Sequence, residues 1–77
     1  MKKQIDLPSW LFEINKKSAM NFRDLVGLYK VSATTLESWL DRGAHPVADF
    51  VLTHRRHNRE WYVSTVIKFI RSHNEAH

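Results

Sequence analysis

The chain has no cysteine, which excludes disulfide staples and thiolate metal centres and fits a reducing compartment, so a cytoplasmic setting is expected. Glycine occurs only twice, leaving no glycine-rich loop to cradle a phosphate. No apolar run approaches the ~20 residues of a membrane span. Behind Lys2 and Lys3, the residues Asp6, Pro8 and Glu13 break up the stretch where a secretory signal needs its apolar centre. Acid is the scarcer charge, with eight Asp and Glu against twelve Lys and Arg. No nucleophile stands at catalytic spacing from a base, and no carboxylate pair is placed in an evident pocket. Neither enzymatic activity nor a cofactor is expected.

What is present bounds the molecule to one modest core. A chain of 77 residues removes only about 60% of its unfolded surface from water on folding, too little to divide between two cores. Hydrophobic residues make up 43%, with three Trp, four Phe and two Tyr to fill that core. The net charge of +4 is compatible with a polyanionic partner, and its distribution is more informative than its size. His54, Arg55, Arg56, His57 and Arg59 fall within six consecutive residues, with no acid before Glu60. This is the one concentrated basic site.

Residues 1–17 carry an apolar knot of Trp10, Leu11, Phe12 and Ile14. Alternation of Trp10, Phe12 and Ile14 suits a short strand, whereas Ser9 as a cap ahead of Trp10, Leu11 and Ile14 suits one helical turn; either form covers an edge of the core. Phe22, Leu25, Val26 and Tyr29 then recur at i, i+3, i+4 and i+7 on one helical face, behind Asn21 as cap and with Asp24 in the positive first turn. Met20 and Leu25 are placed to staple its start, and Ser18 is a competing cap. A second helix opens at Ser32, buries Leu36, Trp39 and Leu40, is stapled by Val31, and ends at Gly43 in the left-handed region. From Pro46 the period shortens. Val47 to Leu52 reads as a strand, Thr53 to Arg59 as a turn, and Glu60 to Val63 as the antiparallel return with Trp61 and Val63 on one face. Ser64 is placed to cap a closing helix that gathers Val66, Ile67 and Ile70, with Phe69 at the margin, and Ser72 to His77 is expected to fray.

Two short helices joined by a tight turn, the second opening on small polar side chains, can present that opening to the major groove of DNA. Ser32, Ala33, Thr34, Thr35 and Ser38 supply the surface, letting the backbone approach closely while hydroxyls and free amides bond phosphate or base edges. Arg42 is this helix's cation. Glu37 and Asp41 on the same helix oppose phosphate unless they point away or accept from a cytosine amino group. The basic turn supplies what the helix lacks: Arg55, Arg56 and Arg59 can lie along the adjacent backbone or enter a narrow minor groove. Partial protonation of His54 and His57 would add to phosphate binding. Tyr62, on the strand face opposite Trp61, is a further candidate for a phosphate contact.

The run from Leu25 to Trp39, then Arg42-Gly43 and the later Trp61-Tyr62-Val63 with Val66, resembles the excisionase-like branch of the MerR-type winged helices. Phage excisionases and the DNA-binding domain of phage terminase small subunits share this pattern over a span corresponding to residues 22–70. Val31, Ser32, Thr35, Trp39, Gly43 and Tyr62 would hold the family's characteristic places. The resemblance implies a winged helix-turn-helix, and with the elements read above the expected fold is α+β, a winged helix-turn-helix over residues 18–77 with a two-stranded wing and a closing helix, and residues 1–17 packed on its core. The resemblance also implies duplex DNA as partner, in the setting of a phage or mobile element, as a recombination directionality factor or a small transcriptional regulator. Further copies of the chain or an integrase-type recombinase would share the DNA. Val26 stands where the family often has Ala, and Lys30 where it has Gly at a position that tends to need positive φ.

Other readings compete for some of these residues. His54 with His57, and His73 with His77, have ligand-like spacing, but neither pair has a third ligand nearby in sequence, so no metal is expected. Trp39 and Trp61 fit apolar stripes better than they fit platforms for single-stranded bases. Lys2, Lys3, Lys16 and Lys17 are most simply a solvated face. A function of a different class is a protein-interaction module, for example a phage-encoded inhibitor that docks on a host protein through the Trp10 and Phe12 segment.

Overall fold

The computed structural model describes residues 4–51 and 59–75. In chain order its elements are α1 (Trp10–Glu13), β1 (Ala19–Asn21), α2 (Phe22–Tyr29), α3 (Ala33–Asp41), β2 (Phe50–Val51), β3 (Arg59–Tyr62) and α4 (Val63–Glu75). Among the described residues they form an α+β fold of four helices and one three-stranded antiparallel sheet in the order β1-β3-β2. Among the described residues no helix is long and apolar enough to cross a membrane.

The sheet corrects the expected two-stranded hairpin. β3 lies at its centre, with Phe50 and Val51 opposite Glu60 and Arg59 on one side, and Ala19, Met20 and Asn21 opposite Tyr62, Trp61 and Glu60 on the other. β1 has no β-branched residue to mark it in the sequence. It forms because the segment ahead of α2 runs beside β3 and buries Met20 next to Trp61. β2 is shorter than the expected run from Val47. Val47 is 81% exposed and outside the ladder, and Leu52 lies beyond the described residues.

β3 passes directly into α4, which begins at Val63 rather than behind a Ser64 cap. The amides of Val63 and Ser64 donate to the carbonyls of Ser18 (2.8 Å) and Lys16 (3.2 Å), so the chain ahead of β1 satisfies the helix start. α4 also extends to Glu75 instead of fraying from Ser72. Asn74 explains this: its side-chain amide accepts from the Ile5 amide at 2.9 Å and donates to the Ile5 carbonyl at 3.0 Å. The N-terminal knot resolves as one helical turn with Leu11 fully buried, although Ser9 makes no side-chain cap bond.

Local signals fix α2 and α3 where the sequence places them. Asn21 and Asp24 exchange side-chain-to-backbone bonds of 2.8 and 3.1 Å in a capping box, and Leu25 and Tyr29 are buried. Lys30 ends α2 in the left-handed region at φ 58°, and Ser32 caps α3 two residues later. Gly43, at φ 75°, turns the chain out of α3 and lets the Ala44 amide reach back to the Trp39 carbonyl at 2.8 Å. Left-handed backbone costs an ordinary side chain about 1 kcal/mol. The Lys30–Asp6 ion pair at 3.5 Å is highly exposed and offsets little of that. Lys30→Gly is therefore expected to raise stability by about 0.5–1 kcal/mol in urea unfolding, allowing for the freer unfolded chain.

The core gathers the apolar stripe of α4 (Val66, Ile67, Ile70) against Leu25, Leu36 and Trp61. Within it lies a polar chain that the sequence does not suggest. His45, 2% exposed, has Nδ1 2.9 Å from the Pro46 carbonyl and Nε2 2.8 Å from the Tyr29 hydroxyl. Nδ1 donates to the carbonyl, and burial favours the neutral ring, in which Nε2 accepts from the Tyr29 hydroxyl. The Trp61 indole donates to the same Pro46 carbonyl at 2.8 Å. This chain joins α2, the connection after α3, and β3. Burial pushes the Tyr29 hydroxyl pKa up and the His45 pKa below its ordinary 6.5, the latter partly opposed by the bond to Pro46.

In the folded state His45 therefore resists a proton that the unfolded chain takes up near 6.5. Its contribution is full above that pH and is lost as pH falls toward the folded value, by at most about 1.4 kcal/mol per pH unit. Urea unfolding of the native chain and His45→Gln at a series of pH values should show the native slope just below pH ~6.5 reduced in the variant. Identical slopes would contradict the burial argument.

Candidate nucleic-acid interface

The expected contact residues divide into a described helix face and a turn that lies mostly outside the described residues. On α3, Ser32, Ala33, Thr34, Ser38 and Arg42 are exposed and Thr35 is half-buried. The Ser32 hydroxyl accepts from the Thr35 amide at 3.1 Å and donates to the Thr35 hydroxyl at 2.9 Å, so both side chains serve the cap. Thr34, Ser38 and Arg42 follow at i, i+4 and i+8 on one stripe of the helix, roughly 12 Å long. Arg42 folds back along it, with Nε 3.4 Å from the Ser38 carbonyl.

The two helix starts differ in charge. α2 carries Asp24 in its first turn, whereas α3 has no acid in its first turn and no base in its last. The partial positive charge of the free α3 amides is thus left uncompensated by any acid of that turn. Glu37 and Asp41 are the acids of this helix. Glu37 is bound by Arg59, whose guanidinium lies 2.9 and 3.5 Å from the two carboxylate oxygens. The same guanidinium sits 5.0 Å above the Phe22 ring. One side chain at the start of β3 therefore ties the opening of α2 to the middle of α3 and neutralises the acid nearest the Thr34–Ser38 stripe. Asp41 is exposed near the C-terminal end of α3, beside Arg42.

His54, Arg55, Arg56 and His57 lie outside the described residues, but the strand ends that carry them do not. Val51 and Arg59 are register partners, so the chain from 52 to 58 leaves and rejoins the sheet at the point where Arg59 grips α3. Arg59 is itself engaged there by Glu37. Tyr62 stands three residues further along β3, roughly 10 Å from Arg59. It is 40% exposed, packs at 5.5 Å on the Phe50 ring, and its amide donates to Asp49 at 2.9 Å. Trp61 is fully buried, and Trp39 is half-buried among Tyr29, Phe69 and His73. Among the described residues no group of three His, Asp or Glu is assembled to hold a metal.

No family model, curated protein or solved structure matches the chain. The functional reading rests on geometry and charge. The Arg59–Glu37 pair, 22 residues apart, carries no local signal. The burial of His45 carries none either, since its neighbours Ala44, Pro46 and Val47 are exposed.

Proposed function

We propose that the protein is a winged helix-turn-helix DNA-binding protein, with α2 and α3 as the helix pair, β2 and β3 as the stem of the wing, and β1 as a third strand on the sheet. It binds duplex DNA with the start of α3 in the major groove and the basic turn at the adjacent backbone or minor groove. One observation carries this reading. α3, whose exposed first turn carries no acid, is joined one turn further on, at Glu37, to Arg59 at the stem of the most basic segment of the chain. Thr34, Ser38 and the free amides of the first turn meet the DNA, Arg42 extends the contact, and Arg55 and Arg56 supply the phosphate charge.

On this reading the protein performs no catalysis and uses no cofactor. The resemblance to excisionase-like winged helices favours a recombination directionality factor or a small regulator of a phage or mobile element. A single module of this size buries a limited area on DNA, so copies bound at adjacent sites, or a recombinase on the same DNA, would supply the remaining specificity.

Fluorescence-anisotropy titration of labelled duplexes, of random sequence and with arrayed sites, tests the proposal at several salt concentrations. Neutralising ~4 phosphates gives a slope of about −3.6 for log K against log salt. Replacing Arg55 and Arg56 together by alanine is expected to weaken binding to all duplexes and to flatten that slope by about 0.9 for each phosphate no longer neutralised. No duplex binding at about 50 mM salt, or an affinity indifferent to salt, would overturn the reading.

A further inference from the structure

The helical turn α1 keeps three large apolar side chains outside the core. Leu11 is fully buried, yet its neighbours Trp10 and Phe12 are 49% and 41% exposed, and Ile14 is 38% exposed. Two cations frame Phe12: Lys16 Nζ lies 5.9 Å from the ring centroid and the Arg71 guanidinium, from α4, lies 5.6 Å away. Lys17 follows, also exposed. Glu13 is the acid of this segment, and none of Lys16, Lys17 and Arg71 has a carboxylate partner among the described residues. The surface thus combines apolar area left in water with cations whose charge is unanswered. The α3 face shares none of these residues.

We propose that this α1–α4 surface docks an acidic protein segment bearing apolar side chains, separately from any DNA contact. Charge complementarity selects the occupant: carboxylates would pair with Lys16, Lys17 and Arg71 while apolar side chains cover Trp10, Phe12 and Ile14. Duplex DNA answers the cations but offers the rings little apolar surface beyond the thymine methyls of the major groove. A lipid surface is bound by an amphipathic helix with a continuous apolar face, whereas α1 is a single turn of four residues. An acidic, apolar segment satisfies both halves of the surface at once. Trp and Arg are also the side chains most often found at the energetic centre of protein interfaces.

The test uses the full-length, isotope-labelled chain and a synthetic peptide in which Asp and Glu alternate with Leu and Phe. Amide shifts are expected to concentrate in residues 9–17 and around Arg71. Affinity should fall about fivefold or more in Trp10→Ala and in Arg71→Glu, both surface changes whose folding is checked by circular dichroism. A peptide of equal charge with Ser in place of Leu and Phe should not bind there. Duplex affinity is measured on the same variants and should be unchanged, so failure of this proposal and failure of the DNA reading give separate results. Equal binding of the Ser peptide, shifts confined to other residues, or unaltered affinity in both variants would overturn the proposal. Stronger shifts of the same residues by anionic phosphatidylglycerol vesicles or by oligothymidine would overturn it as well.

Discussion

Trp61→Ala is expected to remove roughly a third or more of the chain's stability. Trp61 is fully buried at the middle of the central strand, between the register partner Met20 and the His45 ring, whose centroid is 5.5 Å from its own. Truncating a buried Trp or Phe to alanine costs about 3–5 kcal/mol, mostly through the cavity it leaves. A domain of 77 residues at ~0.05–0.15 kcal/mol per residue has roughly 4–12 kcal/mol in total. Loss of the indole bond is the smaller effect, because the Pro46 carbonyl keeps the His45 Nδ1 donor. Trp61→Phe should therefore remain folded, losing the hydrogen bond at about 1 kcal/mol together with a smaller packing loss. Urea midpoints and near-ultraviolet circular dichroism separate the two variants. A Trp61→Ala chain within about 1 kcal/mol of the native one would show that the centre of the sheet is not the centre of stability.

The elements that can be read from the sequence are those whose signals are local. Asn21 with Asp24, Ser32 with Thr35, and Gly43 specify the ends of α2 and α3 through bonds that span five residues or fewer. The left-handed Lys30 has no such signal of its own and is anticipated only through the resemblance, which places Gly there. What stays hidden depends on distant partners. β1 exists because β3 is there to pair with it, and α4 holds its last turn because Asn74 meets Ile5 from the opposite end of the chain. The same distinction applies to the candidate site. The Ser32–Ser38 surface follows from helical periodicity, whereas the answer to the charge of Glu37 requires Arg59 to arrive from another element.

Thr34→Glu is expected to separate stability from DNA binding. Thr34 is exposed at the second position of α3 and makes none of the cap bonds, which belong to Ser32 and Thr35. A carboxylate placed there meets the positive end of the helix dipole, so the variant should be as stable as the native chain or more stable by about 0.3–1 kcal/mol. If α3 presents its first turn to the major groove, that carboxylate also faces phosphates and base edges, and like-charge juxtaposition at an interface costs several kcal/mol. Duplex affinity should then fall by at least about tenfold, equivalent to ~1.4 kcal/mol. Thr34→Gln, which has similar bulk and no charge, should lose much less. The combination of an unchanged or raised urea midpoint with a large loss of affinity cannot come from unfolding. A Thr34→Glu chain that binds duplex as tightly as the native one would remove α3 from the interface and leave the basic turn as the whole of it.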